Sequence, residues 1–127
     1  MKKFILLGLL LALPAISMAD YGDEHATICY TLNNQSKITG KAACIVEETG
    51  GAGVLVLRYT INGANYDVVD DGSNQGITYK SKGKIVSEKY KTYLRGNDFK
   101  VTANQKYYDY FCYKSKHVHF CSKQTNK

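Results

Sequence analysis

Between Val54 and Ile61 the chain reads Val-Leu-Val-Leu-Arg-Tyr-Thr-Ile, a run of β-branched, aliphatic and aromatic side chains that predicts a strand. Asn62-Gly63 follows, and this pair suits a two-residue hairpin turn in which both positions take positive φ. Closing that turn sets Tyr59 opposite Tyr66 and Leu57 opposite Val68, so the apolar positions of both strands fall on one face. Shorter patterns of the same kind recur. Ala26 to Leu32 precedes the polar turn Asn33-Asn34-Gln35-Ser36, and Lys41 to Glu48 precedes the glycine cluster Gly50 to Gly53, read as a flexible hairpin loop. After the loop Asp70 to Gly76 come weaker strands at Ile77 to Lys80, Lys84 to Val86 and Phe99 to Thr102, then a tyrosine-rich hairpin from Tyr107 to Lys123. Ser87 to Leu94 permits one short helix, which Arg95-Gly96-Asn97-Asp98 would end. Strands recurring every 8–12 residues or so, with turns between them, predict an all-β chain: a small antiparallel β-barrel or sandwich.

The start of the chain has a different pattern. Met1-Lys2-Lys3 is followed by the apolar run Phe4 to Ile16 and then Ser17-Met18-Ala19, the arrangement of a cleaved export signal. The apolar run is too short to span a bilayer, which takes about 20 residues. We therefore expect a signal peptide over residues 1–19, a single domain over 20–127, and a mature chain with no membrane span, located in the periplasm or outside the cell. Removing Lys2 and Lys3 lowers the formal charge from +6 to +4. That mild surplus in an exported protein argues against nucleic acid as a partner.

Export gives the cysteines a meaning. Cys29, Cys44, Cys112 and Cys121 all lie in the mature part, and an even count in a small exported domain predicts two disulfides. A two-residue turn at Lys116-His117 would pair 115 with 118 and bring Cys112 opposite Cys121 at a non-hydrogen-bonded position. Cα atoms there approach to about 4.5 Å, within disulfide range. Cys29–Cys44 remains as the second bridge. Lys-His is a poor turn pair, and a shifted register would change this connectivity. The competing use is a Cys₂His₂ zinc site with His117 and His119. An oxidising compartment and unfamiliar spacings argue against it, and neither metal nor cofactor is expected.

Catalytic signatures are missing: there is no His-Glu-x-x-His, Gly-x-Ser-x-Gly, Cys-x-x-Cys or phosphate-binding Gly-Lys-Ser/Thr. Glu47 and Glu48 are adjacent on a strand and point to opposite faces, so they cannot flank one bond. Asp70-Asp71-Gly72-Ser73-Asn74 resembles a calcium loop, but Ser81 stands where the bidentate glutamate belongs. We expect no enzyme. The surface carries more information. In the C-terminal hairpin Phe111, Tyr113, Val118 and Phe120 share the face expected to be core, while Tyr108, Tyr110, Lys114 and His119 share the other. Tyrosines with cations on an exposed face suit binding of proteins or sugars; the alternative is that both faces are buried. Lys80, Lys82, Lys84, Lys89 and Lys91 form a second cationic stretch, suited to acidic glycans or to blocking a sheet edge.

Ser73-x-x-Gly76-x-x-Tyr79, with Lys82-Gly83 after it, resembles the loop motif of the periplasmic and membrane-bound inhibitors of c-type lysozyme. Gln75 stands where that motif has a serine, and Lys82-Gly83 comes early. The resemblance implies a small disulfide-held barrel that pushes a loop into an enzyme's cleft. It places Ser73, Gln75, Gly76, Tyr79 and Lys82 in the contact. The function expected is thus a non-enzymatic inhibitor or immunity-type protein that blocks a cell-wall-degrading enzyme such as a lysozyme. The alternative is an envelope protein that binds an anionic glycan or lipid through lysines and exposed tyrosines.

Overall fold

The computed structural model describes residues 23–125, and the export segment expected over residues 1–19 lies outside them. The strands are β1 (Asp23–Leu32), β2 (Ile38–Gly51), β3 (Val54–Ile61), β4 (Ala64–Asp70), β5 (Gln75–Ser81), β6 (Lys84–Glu88), β7 (Tyr90–Arg95), β8 (Val101–Thr102), β9 (Tyr110–Ser115) and β10 (His119–Lys123). They form one antiparallel sheet in the order β6-β5-β4-β3-β2-β1-β10-β9-β7-β8. Lys89 alone joins β6 to β7, although these strands stand first and ninth in that order. Eight strand spacings in a flat sheet would be about 38 Å, and one residue reaches about 3.5 Å. The sheet must therefore curl, and it does so into a half-barrel. Of the two architectures expected, barrel or sandwich, the barrel-like one is observed.

Register follows the expected pairs where turns are tight. Tyr59 faces Tyr66, Leu57 faces Val68, and Asn62 and Gly63 take φ of 51° and 79°. The same turn geometry recurs at Lys82-Gly83 and at Ala52-Gly53. The last narrows the hairpin loop expected over Gly50 to Gly53 to a two-residue turn, because β2 runs on to Gly51 and pairs with Val54. Gly50 is required there, since a Cβ would lie 2.2 Å from the Val54 carbonyl oxygen. Ser87 to Leu94 is strand and not helix: Tyr90 to Arg95 pair rung by rung with β9, and tyrosine and threonine fit that pleat. The expected strand Phe99 to Thr102 shrinks to Val101–Thr102, because Phe99 adopts φ of 65° and leaves the ladder.

Both faces of the β9–β10 region are buried. On the inner face Phe120, 1% exposed, packs on Tyr59, Tyr66 and Tyr113 with ring centroids 4.9, 5.7 and 5.2 Å away. Cys29–Cys44, Val46, Ile61, Val68 and Ile77 complete this core. The Tyr59 and Tyr113 hydroxyls bond to each other at 2.8 Å, so neither polar group is buried unpaired. Burial raises both pKa values, which keeps the pair neutral. On the outer face Cys112–Cys121 lies under Leu32 and Tyr110, with Tyr30, Tyr93 and Phe99 packed on them. Cys112 and Cys121 are direct cross-strand partners with Cα atoms 4.0 Å apart, as the hairpin count requires. The four cysteines are thus oxidised in pairs, and the zinc alternative lacks its thiolates.

Glu88 latches the curled sheet. Its carboxylate accepts Ser115 Oγ at 2.6 Å, the His117 backbone N–H at 3.0 Å and Tyr79 OH at 2.9 Å, and meets His117 Nδ1 at 2.6 Å. These partners tie the end of β6 to the β9–β10 turn. Burial pushes the Glu88 pKa up, but the hydrogen bonds from Ser115, His117 and Tyr79 outweigh it and hold the value at about 2. Its folded pKa lies below the ordinary 4.5, so the unfolded chain takes up the proton first. The latch is complete above pH 4.5 and is lost as pH falls towards 2. Glu88→Gln is expected to cost about 1–3 kcal/mol at neutral pH. Urea midpoints measured from neutral to acid pH check this: the gap between the two proteins should close as pH falls through that window.

Candidate functional site

The β4–β5 turn is exposed and held by its own side chains. Asp71 Oδ1 accepts the N–H groups of Ser73 at 3.0 Å and Asn74 at 2.6 Å, and Asp70 Oδ1 accepts Gly72 N–H at 2.9 Å. The Asp71 N–H returns to the Asn74 carbonyl at 3.1 Å, and Gln75 Nε2 donates to Asp70 Oδ2 at 3.0 Å. Backbone N–H groups of Asn74 and Ser73 lower the Asp71 pKa, so the carboxylate stays ionised. The turn is a fixed shape with a negative charge at its apex.

The neighbouring strand ends are acidic too. Asp23 faces Glu48 and Glu24 faces Glu47 across β1 and β2, and Glu48 and Asp70 flank opposite sides of the β3 segment Leu55–Leu57. Like charges directly opposite cost stability in a sheet. Arg58 brings a cation here; it sits beside Glu47 and forms a bidentate pair with Asp67 at 2.8 and 3.1 Å. Next to the turn lies a cleft of about 580 Å³ between β3–β4 and β7–β9, lined by Leu57, Val68, Asp70, Gln75, Tyr90 and Phe111. A second space of about 500 Å³ shares Leu57 and Phe111 with it and reaches Tyr108 and His25. The two form one groove in the concavity of the half-barrel. Polar side chains line both spaces alongside the apolar ones, Asp70 and Gln75 in the first and Asp23, His25 and Ser122 in the second.

The residues singled out in the sequence are spread over the molecule. Ser73 belongs to the turn, and Gln75 opens β5. Gly76 is the next residue of β5, where a Cβ would come 3.3 Å from Ser87 Oγ. Tyr79 packs on Tyr66 and bonds to Glu88, so it serves the latch. Lys82 lies in the β5–β6 turn at the other end of β5, about 20 Å or more from Ser73 by strand rise. Tyr108 lines the groove, and Lys114 is exposed on β9.

Tyr110 and His119 are corrections. Both were candidates for an exposed binding face, with burial of both faces as the alternative, and they are only 8% and 7% exposed. Phe99 leaves the β8 ladder to cover that face, with ring centroids 5.1 Å from Tyr30 and 5.0 Å from Tyr110. The Arg95 guanidinium stacks 4.5 Å from the Phe99 ring and donates to the Phe99 carbonyl and to Tyr93 OH. Tyr93 OH in turn meets His119 Nε2 at 2.5 Å. Burial lowers the His119 pKa, with Lys114 and Arg95 acting the same way against the Asn33 carbonyl. A neutral ring accepts from Tyr93, and the cluster is structural. His117 bonds Glu88 while His119 bonds Tyr93, so these two histidines do not converge. Sequence reasoning missed the groove residues Leu57 and Tyr90 as neighbours, because only the long-range curl brings β3 and β7 together.

Among the described residues no helix is long and apolar enough to cross a membrane, and both disulfides suit an oxidising compartment. No protein-family model, no curated protein and no solved structure matches the chain.

Proposed function

We propose that this is an exported, non-enzymatic binding protein that blocks a cell-wall-degrading enzyme, in the manner of an inhibitor or immunity protein, through the β4–β5 turn. The observation that carries the reading is the turn itself. Asp70 and Asp71 hold the exposed backbone N–H groups of Gly72, Ser73 and Asn74 before any partner arrives, so little ordering entropy is lost on binding. The acidic ends of β1, β2 and β4 around it suit a target with a basic cleft, and this local field outweighs the protein's overall positive charge at contact distance. Ser73 carries the resemblance to the lysozyme inhibitors at the apex, and Gln75 and Gly76 follow at its base.

Titration against a c-type lysozyme tests the turn. Asp71→Ala frees the backbone and is expected to weaken binding about tenfold, with less than about 1 kcal/mol lost in folding stability because the site is exposed. Asp71→Asn keeps an acceptor for the same N–H groups and should recover part of the loss, which separates shape from charge. Equal affinity for the wild type and Asp71→Ala would place the contact elsewhere.

A further inference from the structure

Lys91 and Lys114 are directly opposite each other across β7 and β9, and Tyr90–Ser115 is the adjoining rung. Lys89 precedes Tyr90 and Lys116 follows Ser115. Tyr90 and Tyr113 pack on the inner core, so strand alternation sends Lys91 and Lys114 to the outer face, and Lys89 and Lys116 lie just outside the ends of these strands. All four are exposed. Among the described residues, no carboxylate lies within salt-bridge distance of any of them. Glu88 is the acid next along the chain, and its oxygens are taken by Ser115, His117 and Tyr79.

Such a grouping needs a reason, because like charges directly opposite oppose strand pairing. Edge protection is one. It applies to Lys91, since β8 pairs only with Leu94 and Arg95 and leaves the first part of β7 open. It does not apply to Lys114, which has β7 on one side and β10 on the other. Folding does not require these charges; a ligand would.

We propose that the outer face of β7 and β9 binds an acidic glycan polymer through Lys89, Lys91, Lys114 and Lys116. Lys91 and Lys114 stem from positions about 5 Å apart across the strands, and Lys89 and Lys116 are each two residues away along the chain, an open surface suited to anionic groups repeated along a polymer. A single small anion would find no enclosure here. An anionic bilayer is a poorer match: none of the large apolar side chains that are well exposed belongs to β7 or β9, so charge would act with no inserting partner.

The test uses a heparin oligosaccharide as the probe, with inorganic phosphate and anionic phospholipid vesicles alongside. Lys91→Gln/Lys114→Gln is compared with Lys80→Gln/Lys84→Gln, which removes the same charge elsewhere. Heparin binding is expected to weaken steeply as salt rises. At low salt it should fall about tenfold or more in the first variant and less than about twofold in the second. The first variant should be at least as stable to urea as the wild type, since it removes a repulsion. No heparin binding, equal losses in the two variants, or phosphate binding as tight as heparin would overturn the proposal. Vesicle binding tighter than heparin with the same lysine dependence would also overturn it and make the surface a membrane site.

Discussion

Phe120→Ala is expected to cost about 3–5 kcal/mol, the range for deleting a buried aromatic ring where the site cannot collapse. Collapse is blocked here because the neighbours are rings in fixed positions. Tyr59 and Tyr113 are tied hydroxyl to hydroxyl, and both contact Phe120. Tyr66 packs against Phe120 from the far side of the β3–β4 hairpin. Removal of the ring thus opens a void between β10 and the meander. In a domain of this size the loss corresponds to a fall in Tm of roughly 15–25 °C. Thermal unfolding followed by near-ultraviolet circular dichroism checks it. A fall of less than about 5 °C would mean that the aromatic cluster contributes little.

Reduction of both disulfides is the other large effect. Cys29–Cys44 closes a separation of 15 residues and Cys112–Cys121 one of 9. Chain-entropy reasoning gives each bridge about 3 kcal/mol, and together they approach the whole stability of a small domain. Their placement strengthens the expectation. Cys29–Cys44 is fully buried in the inner core and Cys112–Cys121 in the outer cluster, so each holds one side of the same sheet. The reduced protein is expected to be largely unfolded at 37 °C. Separate Cys29→Ala/Cys44→Ala and Cys112→Ala/Cys121→Ala variants should each lower the urea midpoint clearly. A reduced protein that keeps its native near-ultraviolet spectrum at 37 °C would contradict this ledger.

What the sequence shows of this architecture is local. Asn62-Gly63 sets the Tyr59–Tyr66 pairing, and the count outward from Lys116-His117 sets Cys112 against Cys121. Both depend on turns two residues long, where few registers compete. Ser87 to Leu94 is misread because its alternation is short, and the strand forms only once β9 offers a ladder. Tyr110 and His119 read as exposed because β9 and β10 alternate cleanly. Their cover comes from Phe99, through a positive φ that a phenylalanine rarely adopts and no sequence pattern announces. Glu88 is similar. Its partners Ser115 and His117 lie 27 and 29 residues away, so the latch is visible only in the folded chain. The candidate site divides in the same way. The Asp70 to Gln75 turn is legible as a loop from its composition, whereas the groove beside it and the lysine grouping on β7 and β9 arise from long-range pairing.

The central claim is that a rigid, disulfide-braced scaffold presents the β4–β5 turn to a lytic enzyme. The most direct measurement is a peptidoglycan lysis assay with a c-type lysozyme, titrated with the oxidised protein from Asp20 onward and with its reduced form. The account predicts that lysis falls in proportion to the oxidised protein, reaches zero near equal molar amounts, and returns on reduction. Full lysis in the presence of a large excess of the oxidised protein would contradict it.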